Sequence, residues 1–220
     1  MKVSKGRILF QTINYVIMIL LAVICLFPLL NVLAMSFSSA TAVSAGKVSI
    51  LPVDFTASAY TYVMKRKEFW VSLVKSIERV CIGVPLSMMI TILTAYPLSK
   101  EPRRLRARSV YAWLFFFTML VSGGLIPGYL LIQKLHLMDT IWAMVLPTTV
   151  SVYNIVLMLN FFRGIPVELE EAALMDGAGQ FRTCFQIYVP CALPSIATLT
   201  LFSFITQWNS YFDGLIFSNF

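Results

Sequence analysis

Glu168, Glu170, Glu171 and Asp176 form the densest cluster of potentially reactive side chains in the sequence, and their spacing decides what chemistry they can do. Glu170 and Glu171 are neighbours, so on a helix they diverge by about a hundred degrees and make a poor general acid and base couple. A serine nucleophile needs a histidine in reach. The single histidine, His136, falls in a short turn before Ile141 and is read as a turn residue, not as a ligand or proton relay. No phosphate-binding GxxxxGK[ST] loop occurs, since Gly46-Lys47 lacks both the upstream glycine and the Ser or Thr that must follow the lysine. Cys25, Cys81, Cys184 and Cys191 contain no CxxC pair and have no histidine at metal-ligand spacing, so they are assigned to packing. The chemistry left to the acidic cluster is docking. Leu169, Ala172, Ala173 and Asp176 follow i, i+3, i+4, i+7 spacing and share a helical face, on which two alanines let another surface approach closely.

The element that carries this cluster runs from Pro166 to Pro190 and reads as two short helices hinged at Gly177. Pro166 suits the first turn of a helix, and the glutamates that follow lie where the helix dipole favours negative charge. Gly177 can adopt the positive φ that ends a helix, and Gln180 to Tyr188 resumes helical spacing with Phe181, Phe185 and Tyr188 apolar.

Everything around this polar segment is apolar. The chain is 59% hydrophobic and only 12% charged, with mean hydropathy +0.81, which excludes a soluble globular protein. The net charge of +7 does not point to nucleic acid. The basic residues sit in short segments between apolar runs, where they orient helices toward anionic lipid, and no basic patch alternates with exposed aromatics. The fold class expected is an all-α polytopic membrane protein with one transmembrane domain over 1–220. Its spans are expected at about 8–35, 71–98, 110–132, 141–162 and 191–217, with 163–190 as a cytoplasmic loop. The first run is too long for a cleavable signal peptide, and Pro28 is expected to kink it. Residues 36–70 read as an external loop.

Charge sets the orientation. Lys100, Arg103, Arg104, Arg106 and Arg108 fill a short connection opposed only by Glu101, so that connection is placed in the cytoplasm, and Lys2, Lys5 and Arg7 place the amino terminus there too. Lys75, Glu78 and Arg79 open the second span and read as paired or snorkelling interfacial charges. Ser122-Gly123-Gly124 and Pro127-Gly128 should break or kink the third span before Tyr129. Pro147 lies near the outer end of the fourth, and the fifth is entered through Pro194. Five spans leave the carboxyl terminus outside, and a sixth helix is expected beyond Phe220.

Glu171-Ala172-Ala173, then Gly177, Ile187 and Val189-Pro190 at their spacings resemble the EAA loop of permease subunits in bacterial binding-protein-dependent ABC importers. Val189 stands where leucine is usual. The string from Ile165-Pro166 to Asp176-Gly177-Ala178 resembles the carbohydrate-uptake, maltose-permease-like branch, and Ser122 to Pro127, Trp142 to Pro147 and Trp208-Asn209 agree with it. The resemblance implies an ABC importer permease fold of six core spans, in a multi-pass protein of the bacterial cytoplasmic membrane with a cytoplasmic amino terminus. It implies no enzymatic activity and no cofactor of its own, ATP being bound by a partner ABC ATPase dimer. The other implied partners are a second permease subunit, an extracytoplasmic solute-binding protein and the bilayer. Carried over to this chain, Glu171, Ala172, Ala173, Asp176 and Gly177 are the positions that contact or shape the ATPase joint. Trp208, Asn209 and Tyr211, near Gln207 and Asp213, offer aromatic and polar groups for a sugar path, although aromatic-belt residues have the same appearance. A secondary transporter or channel would place carboxylates in mid-span, and Glu78 and Asp213 lie near span ends. A non-transporting scaffold would leave solute flux unchanged when the loop is altered.

Overall fold

The computed structural model describes residues 5–100, 107–121 and 123–218, and among them every regular element is helical. Arg103, Arg104, Arg106, Glu101, Lys2, Ser122 and Phe220, all used above, lie outside the described residues. By its internal contacts the chain falls into two units, Met1–Trp70 and Val71–Phe220.

The first unit contains α1 (Lys5–Ser36), α2 (Ala40–Ser44) and α3 (Ser58–Met64). Helix α1 takes Pro28 into its interior without interruption. The stretch after it is an ordered structure and not a plain loop. Ala34, Ala42 and Val48 form a small buried cluster, and Phe37 stacks on Phe55 at 5.5 Å. Ser38 explains how so polar a stretch is held: its hydroxyl donates to Ala34 O at 2.6 Å and accepts from Val53 N at 3.0 Å. Asn31 Nδ2 adds a bond to Ser49 O at 2.6 Å. Backbone groups that cannot join a helix ladder are thus satisfied locally.

The second unit is built on α4 (Lys67–Ser99), which enters it at Val71 and carries Pro85 and Pro97 inside one continuous helix. The third apolar stretch is two helices, α5 (Arg108–Leu120) and α6 (Leu125–Lys134), meeting at 112°. The break precedes Leu125, so Pro127-Gly128, expected to break the helix, instead occupies the first turn of α6, where a missing N–H costs nothing. The fourth is likewise double, α7 (Ile141–Thr149) and α8 (Val152–Arg163) bent by 47°. Pro147 stays helical, and the bend follows it at Val150-Ser151, where the Ser151 hydroxyl accepts from Asn154 N and restarts the helix. Among the described residues two helices are long and apolar enough to cross a membrane, or up to five if each bent pair counts as one span, the last such pair starting at Gln180, inside the segment expected to be a loop.

The polar segment folds into α9 (Val167–Met175), then α10 (Gln180–Thr183), a π-turn (Cys184–Tyr188) and α11 (Val189–Cys191) in unbroken succession. Helix therefore runs through Pro190, and the corner comes at Ala192, where α12 (Leu193–Asn209) leaves at 86°. A second break at Ser210 separates α12 from α13 (Tyr211–Phe217), so the fifth stretch is not one straight helix. The core joins Met88, Ile92 and Ala95 of α4 to Ile155, Met158 and Phe162 of α8, with Tyr188, Ala192 and Leu199 closing it. Asn154 Nδ2 donates to Ser203 Oγ at 3.2 Å across α8 and α12, the kind of interhelical polar link that apolar surroundings favour.

Candidate functional site

The C-terminus of α9 is a Schellman motif. Ala178 N donates to Ala173 O at 2.9 Å and Gly177 N to Leu174 O at 3.0 Å, with Gly177 at φ +76. The expected hinge is therefore where the spacing placed it. The four carboxylates separate around the helix as their positions dictate: Glu168, Glu171 and Asp176 are exposed, and Glu170 is buried.

The same geometry divides the predicted docking residues. Leu169, Ala172 and Asp176 share an exposed face, with Glu171 and Gly177 also exposed. Ala173 turns inward beside Glu170 and is buried, so it shapes this helix from beneath and is not itself at the surface. Met175, at 88% exposure, enlarges the exposed face, and Phe181 of α10 is also exposed, at 75%. Met175 was missed by the sequence reading. Its signal was position: a flexible thioether one residue before the helix-ending Asp176-Gly177 suits an adaptable contact.

Beneath the exposed face lies a buried ion pair. Lys100 Nζ, immediately after α4, is 2.8 Å from Glu170 Oε2. Tyr188 OH donates to the same carboxylate oxygen at 2.8 Å. The ammonium also lies 3.9 Å from the ring centroids of both Tyr96 and Tyr188, so two aromatic faces stabilise it together with the carboxylate. Tyr96 OH donates to Gln180 Oε1 at 3.0 Å, holding the start of α10 to α4 as well. The π-turn has a local cause, because Pro190 has no N–H to give, and Val189 N instead donates five residues back to Cys184 O. Cys184 and Tyr188 both face the core.

A cleft of about 430 Å³ lies at the α12–α13 break, with Ser72, Lys75, Ser76, Arg79, Gln207, Trp208 and Tyr211 among its lining residues. Of the three residues expected on a solute path, Trp208 and Tyr211 line it and Asn209 does not. Lys75 and Glu78 pair at 2.9 Å, as their spacing predicts. Arg79 is paired too, but not within its own helix: it is buried, 4% exposed, and clamps the broken helix. It donates to Asp213 Oδ2 at 2.7 Å, Gln207 Oε1 at 2.9 Å, Met144 O at 2.8 Å and the Ser210 carbonyl. The break at Ser210 exposes carbonyls that a continuous helix would satisfy itself, and the guanidinium's fixed fork of donors serves them. Gln207 Nε2 finds no partner among the described residues and faces a buried, close approach to Gly83.

Among the described residues no group of His, Cys, Asp or Glu could hold a metal ion. Cys25, Cys81, Cys184 and Cys191 are all free thiols.

Residues 3–216 match the family described as binding-protein-dependent transport system inner membrane component. The chain is 38% identical over 215 residues to the polygalacturonan/rhamnogalacturonan transport system permease protein YtcP of Bacillus subtilis strain 168, covering 98% of this chain and 74% of that one. It is 28% identical over 204 residues to the diacetylchitobiose uptake system permease protein NgcG of Streptomyces coelicolor, covering 92% and 67%. Its fold is similar to a chain in the crystal structure of a bacterial ABC transporter involved in the import of the acidic polysaccharide alginate. That match has TM-score 0.91 and 35% identity and covers all of this chain and 78% of the other.

Proposed function

The chain belongs to the family of binding-protein-dependent transport system inner membrane components, and from that premise we propose that it moves an oligosaccharide across the cytoplasmic membrane as one permease of an ATP-driven importer. It is a multi-pass membrane protein and a transport subunit, not an enzyme. In this reading ATP is bound and hydrolysed by a separate ABC ATPase dimer, a second permease completes the path, and an extracytoplasmic binding protein delivers the solute. The amino terminus and α9 face the cytoplasm.

The observation that carries the reading is the exposed face of α9. Small Ala172 admits a partner surface, Glu171 and Asp176 offer charge to basic groups, and Leu169 and Met175, with Phe181 of the following helix, offer apolar area. Gly177 ends the helix, and Ala173 lets α9 sit close to its own chain. A membrane-surface role fits poorly, since an acidic face has the wrong sign for anionic lipid. Closure of the ATPase dimer moves α9, and the helices behind it rearrange so that the path opens outward, then returns after hydrolysis. Such coupling requires α9 and ATPase to stay joined in both states, so that each biases the other.

Trp208 and Tyr211 present ring faces suited to sugars, and Asn209 adjoins them at the helix break. Uronic-acid oligomers are the first class to test, since the YtcP relative and the alginate importer are both named for acidic polysaccharides. The deciding experiment replaces Glu171→Lys or Gly177→Asp in the assembled system. Both variants should insert normally, lose the copurifying ATPase and abolish uptake. Normal transport by both would falsify the docking role.

A further inference from the structure

Glu170 and Glu171 are adjacent, yet one is 2% exposed and the other lies on the surface. If the outer carboxylate meets a partner, the inner one must have a different task. Glu170 is gripped by Lys100 at 2.8 Å and by the Tyr188 hydroxyl at 2.8 Å, and the ammonium lies over the rings of Tyr96 and Tyr188, which stand edge to face. Three segments meet there: the end of α4, the middle of α9 and the π-turn that leads to α12.

We infer that the Lys100–Glu170 pair, clasped by Tyr188, is the joint through which displacement of α9 is handed to α4. The inference rests on the reading of α9 as the docking helix. It makes Lys100, Glu170 and Tyr188 positioning residues for transport, none of them a contact to the partner. The physical argument starts from what the pair costs. Two buried charges give up their hydration, and an apolar plug of equal volume would hold α9 down at least as well. What a plug lacks is direction. An ammonium 2.8 Å from a carboxylate oxygen that also accepts from the Tyr188 hydroxyl resists withdrawal, so α9 cannot move away from α4 without breaking it. The same α4 carries Arg79, 21 residues earlier and roughly 30 Å along the helix by the difference of the two positions. There it is bonded to Asp213 of α13 beside the cleft at the α12–α13 break. A pull on the joint therefore reaches the helix break through a single element.

The test uses the complete importer in proteoliposomes, with binding protein and solute, and reads solute moved per ATP hydrolysed. Glu170→Gln and Lys100→Met should keep the ATPase bound and hydrolysing, because the exposed face is unchanged, while the ratio falls about tenfold. Lys100→Arg, which keeps a cation able to lie against both rings, should retain at least about half of it. Tyr188→Phe removes one oxygen and keeps the ring, so it assembles even if the charge variants do not, and it should lower the ratio about threefold. A merely structural role predicts less assembled complex with an unchanged ratio, and that result in Tyr188→Phe or in assembled Glu170→Gln overturns the inference. Failure of the docking reading shows itself separately, as Glu171→Lys that still binds the ATPase.

Discussion

Arg79 directs its donors to Asp213, Gln207, Ser210 and Met144, so its removal strands groups on three helices at once. Arg79→Met should lower stability by about 3–5 kcal/mol, the usual cost of taking one partner from a buried pair, read from thermal unfolding in detergent. Lys75→Met touches a partly exposed pair with Glu78 and should cost less than about 1 kcal/mol in the same assay. Gly83 matters for the same cluster, since a Cβ there would come within 2.7 Å of Gln207 Nε2. Gly83→Ala should pull Gln207 off Arg79 and lower the melting temperature, and Gly83→Ala/Gln207→Ser should recover part of the loss. The i, i+3 spacing of Lys75 and Glu78 shows in the sequence, but the long-range partnerships do not, because Arg79 and Asp213 are 134 residues apart and Lys100 and Glu170 are 70 apart. A cue was present for the first. Arg79 and Asp213 are charges of opposite sign within apolar stretches, and such charges find partners.

Helix α9 owes its legibility to local chemistry. Its first-turn glutamates, its face spacing and its terminating glycine are all short-range signals, and Gly177 takes φ +76 as the hinge requires. Gly177→Ala should cost about 1–2 kcal/mol from the left-handed backbone alone, since a Cβ there meets no atom within 4 Å. Gly179, at φ −71, asks for no such conformation, and Gly179→Ala should leave melting and uptake unchanged. The two alanines separate docking from folding. Ala172→Leu should leave the isolated permease as stable as before and block ATPase binding. Ala173→Leu overpacks a buried position and should lower the permease's own stability by about 1–3 kcal/mol. Sequence spacing put both on one face, and only the tilt of α9 over Lys100 and Tyr188 divides them. The breaks at Val150-Ser151 and Ser210 were equally hidden, as no glycine marks either, and each is held by bonds to side chains: Ser151 to Asn154 N in one, Arg79 to the Ser210 carbonyl in the other.

For the whole molecule, the order of apolar and polar stretches is enough to locate the helical stretches and the polar segment that α9 opens, while the bends depend on contacts between stretches. Topology offers a direct check. In a cysteine-free background, Met175→Cys should react with an impermeant maleimide only from the cytoplasmic side, and Leu51→Cys only from outside, both positions being highly exposed. The corner at Ala192 has a mechanical consequence. The twelve residues from Gln180 to Cys191 stand at 86° to α12, an arm roughly 18 Å long at helical rise. Were that arm to swing by about ten degrees, its tip would travel about 3 Å while its base scarcely moved, so a given torque on α12 would ask for little force at the tip.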